Sequence, residues 1–222
     1  MNTWARWSPA TGILFVALWI IAFAITDGSP DSGFSNTKIV DYYADSGHRA
    51  RDIVGLFLIL AAALLFLCFL SSLRTRLARA EGGAGPMTAA AFGSGLVSTA
   101  LWFVAVVVFT APSFARSDTS KFQLDPDTFR VLNDLGYSIW FGGTTIAAVL
   151  VAATAVLSRR TGLLPTWLTW LSFAVAATLL VAFLFVPILI FLGWVLVVSA
   201  VLAWKGTSEP ASPPTRARTP AR

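Results

Sequence analysis

The chain has one cysteine, one histidine and two glutamates in 222 residues, and only 12% of its residues are charged. Each scarcity removes a class of chemistry. A lone cysteine cannot close an intramolecular disulfide, and Cys68 sits in AAALLFLCFL, where apolar surroundings disfavour a thiolate, so it reads as a small buried hydrophobe. His48 and Cys68 lie far apart, so neither a bis-histidine haem nor a Cys/His zinc site can be assembled from this chain alone. No metal-ligand set and no cofactor is expected. No glutamate falls in an apolar segment, which argues against metalloprotease or proton-pump chemistry and leaves Asp134 as the nearest acidic group. The serine of AFGSG, residues 91–95, would need a base in a neighbouring segment to act as a nucleophile, and none is present. EGGAGP, residues 81–86, lacks the lysine of a phosphate-binding loop and reads as a linker. No catalytic residue is assigned.

What the chain has instead is apolar surface: 56% hydrophobic residues and a mean hydropathy of +0.74. Soluble domains carry roughly twice this share of charge, so the composition is that of a membrane protein. A bilayer core of about 30 Å requires about 20 apolar residues in a helix, because backbone amides cannot go unpaired in lipid. Six stretches qualify, approximately 10–26, 52–73, 88–110, 131–157, 166–185 and 188–204. The first is followed by AITDGSP, which lacks a small-residue cleavage site, and is kept as a helix rather than a signal peptide. The last two run together, and Pro187, without an amide hydrogen, is the natural break between them. The expected fold class is all-α, a polytopic transmembrane bundle of six spans over residues 1–206, with outer loops at 27–51 and 111–130.

Charge placement sets the expected orientation. One set of alternate loops and the termini holds Arg6, Arg74, Arg76, Arg79, Arg159, Arg160, Lys205, Arg216, Arg218 and Arg222 against only Glu81 and Glu209. The other holds six basic residues against all nine aspartates. The basic excess places both termini in the cytoplasm, and Trp4, Trp7, Trp167, Trp170 and Trp204 fall at the same ends of the spans. The net charge of +5 thus belongs to topology and not to nucleic acid. The tail at 207–222 is rich in Pro, Ser, Thr and Arg and reads as a disordered cytoplasmic segment able to touch anionic lipid.

The outer loops carry the candidate site. SNTKIVDYYADSG should form a short amphipathic helix, capped by Ser35 or Asn36 and stopped at Gly47. In LDPDTFRVLNDLGY, Asp125 caps and Pro126 opens a helix that projects beyond the bilayer, with Asp127, Arg130, Asp134, Tyr137 and Ser138 on one polar face. His48, Arg49 and Arg51 gather at the start of span two, where the helix dipole favours Asp52 and repels cations. The expectation is that Arg51, with His48 or Arg49, meets Asp134 and Asn133 across the outer mouth. The alternative is that the arginines snorkel to lipid phosphates. Gly93, Ser94, Gly95 and Ser98 read as a close helix contact, and FGGTT at 141–145 as packing or a flexible point. Short echoes at offsets near 84 (LW at 18–19 and 101–102, LSSLRTR against AVLSRRTG) suggest two parallel hairpin repeats.

HRARDIVGLFLIL, FLSSLRTRLARAEGG, FQLDPDTFRVLNDLGY and RTGLLPTWLTWLS together resemble a family of six-helix integral membrane proteins common in actinobacteria and defined as a domain of unknown function. The resemblance covers nearly the whole chain and implies a fold and topology, with no activity or cofactor. The first functional reading is a non-enzymatic membrane protein whose outward polar vestibule, built from His48, Arg49, Arg51, Asp52, Asn133, Asp134 and Tyr137, binds a lipid headgroup, a small anion or a partner protein. A small-solute transporter or channel-like homo-oligomer is the second, and an intramembrane enzyme the third.

Overall fold

The computed structural model describes residues 10–119, 121–181 and 186–207. All regular structure among them is helical: α1 (Thr11–Ile25), α2 (Asn36–Ala44), α3 (Ser46–Glu81), α4 (Pro86–Asp118), α5 (Pro126–Thr161), α6 (Thr166–Leu179) and α7 (Val186–Thr207). Trp4, Arg6, Trp7 and the tail beyond Thr207 lie outside the described residues. Apart from α2, the helices pack in chain order, most extensively α4 on α5, and α7 returns to α1 to close a ring.

The termini of α3 and α5 explain their length. Asp45 accepts the His48 amide at 2.9 Å and Asp125 accepts the Thr128 amide at 2.8 Å, each carboxylate taking an amide that has no partner within its helix. These bonds hold both carboxyls below the usual aspartate range. At the far ends Gly82 and Gly162 adopt φ of 82° and 71°, the left-handed stop that glycine reaches without a Cβ penalty. Each helix has 36 residues and is about 54 Å long, well past a bilayer core. The apolar stretches are therefore the middles of longer rods, and much of each expected outer loop is helix. The turns at these far ends, after Glu81 and after Thr161, are correspondingly short. Between α3 and α4, Glu81 accepts the Met87 and Thr88 amides and the Thr88 hydroxyl, which caps α4 and lowers the Glu81 carboxyl.

Four helices, α3, α4, α5 and α7, are long and apolar enough to cross a membrane; α1 and α6 are apolar but shorter, at 15 and 14 residues. The turn after α6 begins at Leu180, earlier than expected, and Pro187 lies in the first turn of α7, where its missing amide hydrogen is harmless. Residues 182–185, assigned to span five by sequence, lie outside the described residues. The short outer helix forms, but it ends at Ala44. Gly47 is inside α3, because Asp45 already breaks the chain to cap the next helix.

The core is aromatic. Phe15, Trp19, Phe66, Trp102, Trp140 and Phe191, from α1, α3, α4, α5 and α7, stand in a continuous run of ring contacts with centroids 4.7 to 6.4 Å apart. Trp102 donates its indole N–H to Thr144 at 3.1 Å. Gly95 brings α4 onto α3, since a Cβ there would stand 2.7 Å from Leu70 Cδ2; a Cβ on Gly93 would meet nothing within 4 Å. The small-residue contact is thus Gly95 and Ser98, and in FGGTT it is Gly143 and Thr144 that pack against Trp102. Cys68 is half-buried rather than buried.

Candidate functional site

Asp52, in the second turn of α3, is 7% exposed and is the meeting point of four chain segments. Its Oδ1 accepts from Tyr42 of α2 at 3.0 Å and from Ser29, in the loop after α1, at 3.1 Å. Its Oδ2 accepts from Ser113 of α4 at 2.7 Å. Ser29 has one hydrogen and also stands 2.8 Å from the Thr26 carbonyl and 2.9 Å from the Tyr42 hydroxyl, so it can turn among three acceptors. The Tyr42 hydroxyl is pushed up to about 12, by burial first and then by the charge of Asp52 and its hydrogen bond to Asp52, against a lowering hydrogen bond from Ser29. Burial, with the charges of Asp52 and Tyr42, also holds Tyr43 well above the usual tyrosine range. Among the described residues no Lys, Arg or His forms an ion pair with Asp52.

The basic residues beside it are engaged elsewhere. Arg49 donates to the Tyr43 and Ala44 carbonyls at 2.7 and 2.8 Å and to Ser117 of α4 at 3.2 Å. It begins α3 but sits against the negative end of α2, which supplies the stabilisation that its own helix dipole denies it. The His48 ring stacks on Tyr42 at 4.3 Å with 4° between planes, and its Nδ1 is 3.3 Å from the Tyr42 carbonyl. Arg130 of α5 donates to the Ser32 and Phe34 carbonyls, to Asn36 and to Asp127, and so holds the loop after α1 against α5. Beneath that loop, Ile39, Tyr43 and Phe129 form a small core of their own.

The expected meeting of Arg51 and Asp134 does not occur. Both side chains are exposed, and the ion pairs among the described residues are His48–Asp45 and Arg130–Asp127. The reason is helical phase. Neighbouring residues point about 100° apart, so when Asp52 and Asn133 take the inward positions, Arg51 and Asp134 turn away from the interior. Ser138, from the same proposed polar face, is exposed as well and bonds back to the Asp134 carbonyl.

Between these segments lies a cavity of about 430 Å³. Asp27, Asp31 and Ser29 line it beside Asp52 and Asn133, with Thr26 and Thr110 nearby, and its walls are Phe23, Phe109, Tyr137, Trp140 and Phe141. Further along the same helices, Trp19, Ile59, Thr144 and Ile188 line it next to the buried aromatic run, which acts as its floor. Phe109 and Tyr137 meet edge to face at 5.0 Å, and Gly136 makes room for them: a Cβ there would stand 2.6 Å from the Phe109 ring. Asn133 is 7% exposed and its Nδ2 has no hydrogen-bond partner. Of the sequence candidates, Asp52, Asn133 and Tyr137 line the cavity; His48 and Arg49 buttress it through α2; Arg51 and Asp134 are not part of its lining. Sequence reading missed Ser29, Asp27, Asp31, Tyr42, Ser113 and Trp140. Only the aspartates gave a signal, as uncompensated charge in the first outer loop. No group of three His, Cys, Asp or Glu side chains suited to a metal occurs among the described residues. Set against known protein families, curated proteins and solved structures, the chain finds no match.

Proposed function

We propose that this chain is an integral protein of a bacterial plasma membrane that crosses the bilayer six times, with both termini in the cytoplasm, and that the cavity beside Asp52 is an outward-opening ligand pocket. The observation that carries the pocket is its lining: a 430 Å³ cavity walled by Phe23, Phe109, Tyr137, Trp140 and Phe141 and holding a few convergent polar groups, Asp27, Asp31, Asp52 and Asn133. The volume suits a small molecule or a lipid headgroup, whereas a protein partner would need a much larger surface.

Six crossings are supported by the closed ring of helices. Helices α1 and α6 span only about 22 and 21 Å, but they carry no charged residue and sit in the ring beside the four long helices. Helix α1 presents Leu14, Ile20 and Ile21 outward. The orientation is supported by Trp167, Trp170 and Trp204, all more than half exposed at the end of the bundle where Arg74, Arg79, Arg159 and Arg160 lie. A transporter would need a polar path inward past Thr144 and Ser98, and the aromatic floor lies across that path.

The test is cysteine accessibility in a Cys68→Ala background, with membrane-impermeant thiol reagents added to intact cells. Thr37→Cys and Val106→Cys should be modified from outside. Ala84→Cys and Thr161→Cys should react only in inverted vesicles. Modification of Ala84→Cys from outside would overturn the orientation, and an inert Val106→Cys beside a reactive Thr37→Cys would overturn the pocket.

A further inference from the structure

We infer that the pocket recognises an organic monocation, an alkylated ammonium carried on an apolar or aromatic body; this rests on the pocket proposed above. Three features of the cavity converge on that chemistry. Its described lining holds three carboxylates, Asp27, Asp31 and Asp52, and no Lys or Arg. Asp52 is buried with hydroxyl donors only, and a buried charge without a counter-charge is the costly state that a bound cation relieves. Two arginines of the adjoining segments are engaged elsewhere: Arg49 with the Tyr43 and Ala44 carbonyls and Ser117, Arg130 with the Ser32 and Phe34 carbonyls, Asn36 and Asp127. Second, the wall behind the carboxylates is aromatic, and ring faces attract cations that have shed their water while offering nothing to an anion. Third, the Asn133 amide in the same lining, whose nitrogen has no partner in the protein, can turn to give a hydrogen bond to an acceptor elsewhere on the ligand, an ether, hydroxyl or carbonyl oxygen. A phosphate would meet repulsion from all three carboxylates. The ammonium can belong to a free organic cation or to the head of a zwitterionic lipid, since both present the same group.

The experiment uses Val106→Cys in the Cys68→Ala background, reconstituted in nanodiscs of phosphatidylglycerol alone. Two methanethiosulfonates of similar size and opposite charge, trimethylammonioethyl and sulfonatoethyl, modify the cysteine, with Thr37→Cys as the reference for bulk reactivity. A cleft lined by one sign of charge concentrates its counter-ion about ten-fold or more. The cationic reagent should therefore gain at least ten-fold over the anionic one at position 106 relative to position 37. Asp27→Asn with Asp31→Asn should remove most of that gain, and benzyltrimethylammonium should protect the cysteine where benzyl alcohol and phenylphosphate do not. In discs containing phosphatidylethanolamine, undiminished protection identifies a free cation as the occupant, and lost protection identifies the lipid ammonium head; either supports the shared chemistry. Equal rates for the two reagents, or protection by phenylphosphate, would overturn the cation and leave the pocket standing. A Val106→Cys that reacts with neither reagent while Thr37→Cys reacts with both would overturn the cation and the pocket together.

Discussion

Removing the Asp52 carboxylate tests whether its end of the bundle is organised around it. In Asp52→Ala two charge-assisted hydrogen bonds with settled donors disappear, from Tyr42 at 3.0 Å and Ser113 at 2.7 Å. Each is worth about 1.5–3 kcal/mol in the native state. The losses are unequal, because the Tyr42 hydroxyl can turn to Ser29 at 2.9 Å and Ser29 keeps the Thr26 carbonyl at 2.8 Å. Ser113 is fully buried and loses the Asp52 oxygen that accepts its hydrogen. The expected destabilisation is therefore about 3 kcal/mol for Asp52→Ala. For Asp52→Asn, whose amide keeps the shape but loses the charge and replaces one acceptor oxygen with an NH2 donor, it is about 1 kcal/mol. A double-mutant cycle with Ser113→Ala should be clearly non-additive, with at least about 1 kcal/mol of coupling. Tryptophan fluorescence during denaturation in mixed micelles reads the parent and all four variants. An Asp52→Asn variant more stable than the parent would refute the reasoning, because it would mean that desolvating the carboxylate costs more than its hydrogen bonds return.

Three further outcomes follow from the same geometry. Arg130→Ala frees the Ser32 and Phe34 carbonyls and Asn36, so hydrogen exchange across residues 28–36 should rise by an order of magnitude or more while the cores of α3 and α5 stay protected; Arg130→Lys, without the planar fork, should restore only part of the protection. Gly95→Val drives a Cβ to 2.7 Å from Leu70 and should destabilise the bundle by about 1–3 kcal/mol, measured as above, whereas Gly93→Ala, facing open space, should be close to neutral. Tyr42 is raised from 10.0 to about 12, so its contribution to stability is complete below pH 10 and fades as pH rises toward 12. Tyr42→Phe should flatten the alkaline limb of the stability profile between those values.

Sequence reading succeeded where a single residue type determines the outcome. Asp125 followed by Pro126 marks a helix start by side-chain acceptor and missing amide hydrogen alone, and α5 begins there. Apolar runs likewise located the helices, but not their ends, since capped helices such as α3 continue as polar turns beyond any lipid. The site was harder for a physical reason. Sequence places Arg51 and Asp52 side by side and cannot say which points inward; one helical step separates a buried anchor from an exposed charge. The hydroxyls on Asp52 come from residues 29, 42 and 113, distant in the chain and of ordinary type, so only their convergence reveals them. Arg49 shows the same limit: its stabilisation comes from the end of the preceding helix, a tertiary accident of a one-residue break at Asp45.

The aromatic floor beneath the cavity has a thermodynamic consequence. With Trp19, Trp102 and Trp140 in mutual contact and Phe66 and Phe191 behind them, the proposed pocket has a closed end, and a ligand in it would leave by the way it came. Under that proposal its occupancy would equilibrate with one compartment alone. A concentration difference across the bilayer would then do no work on it, and such a site would report composition without dissipating any gradient.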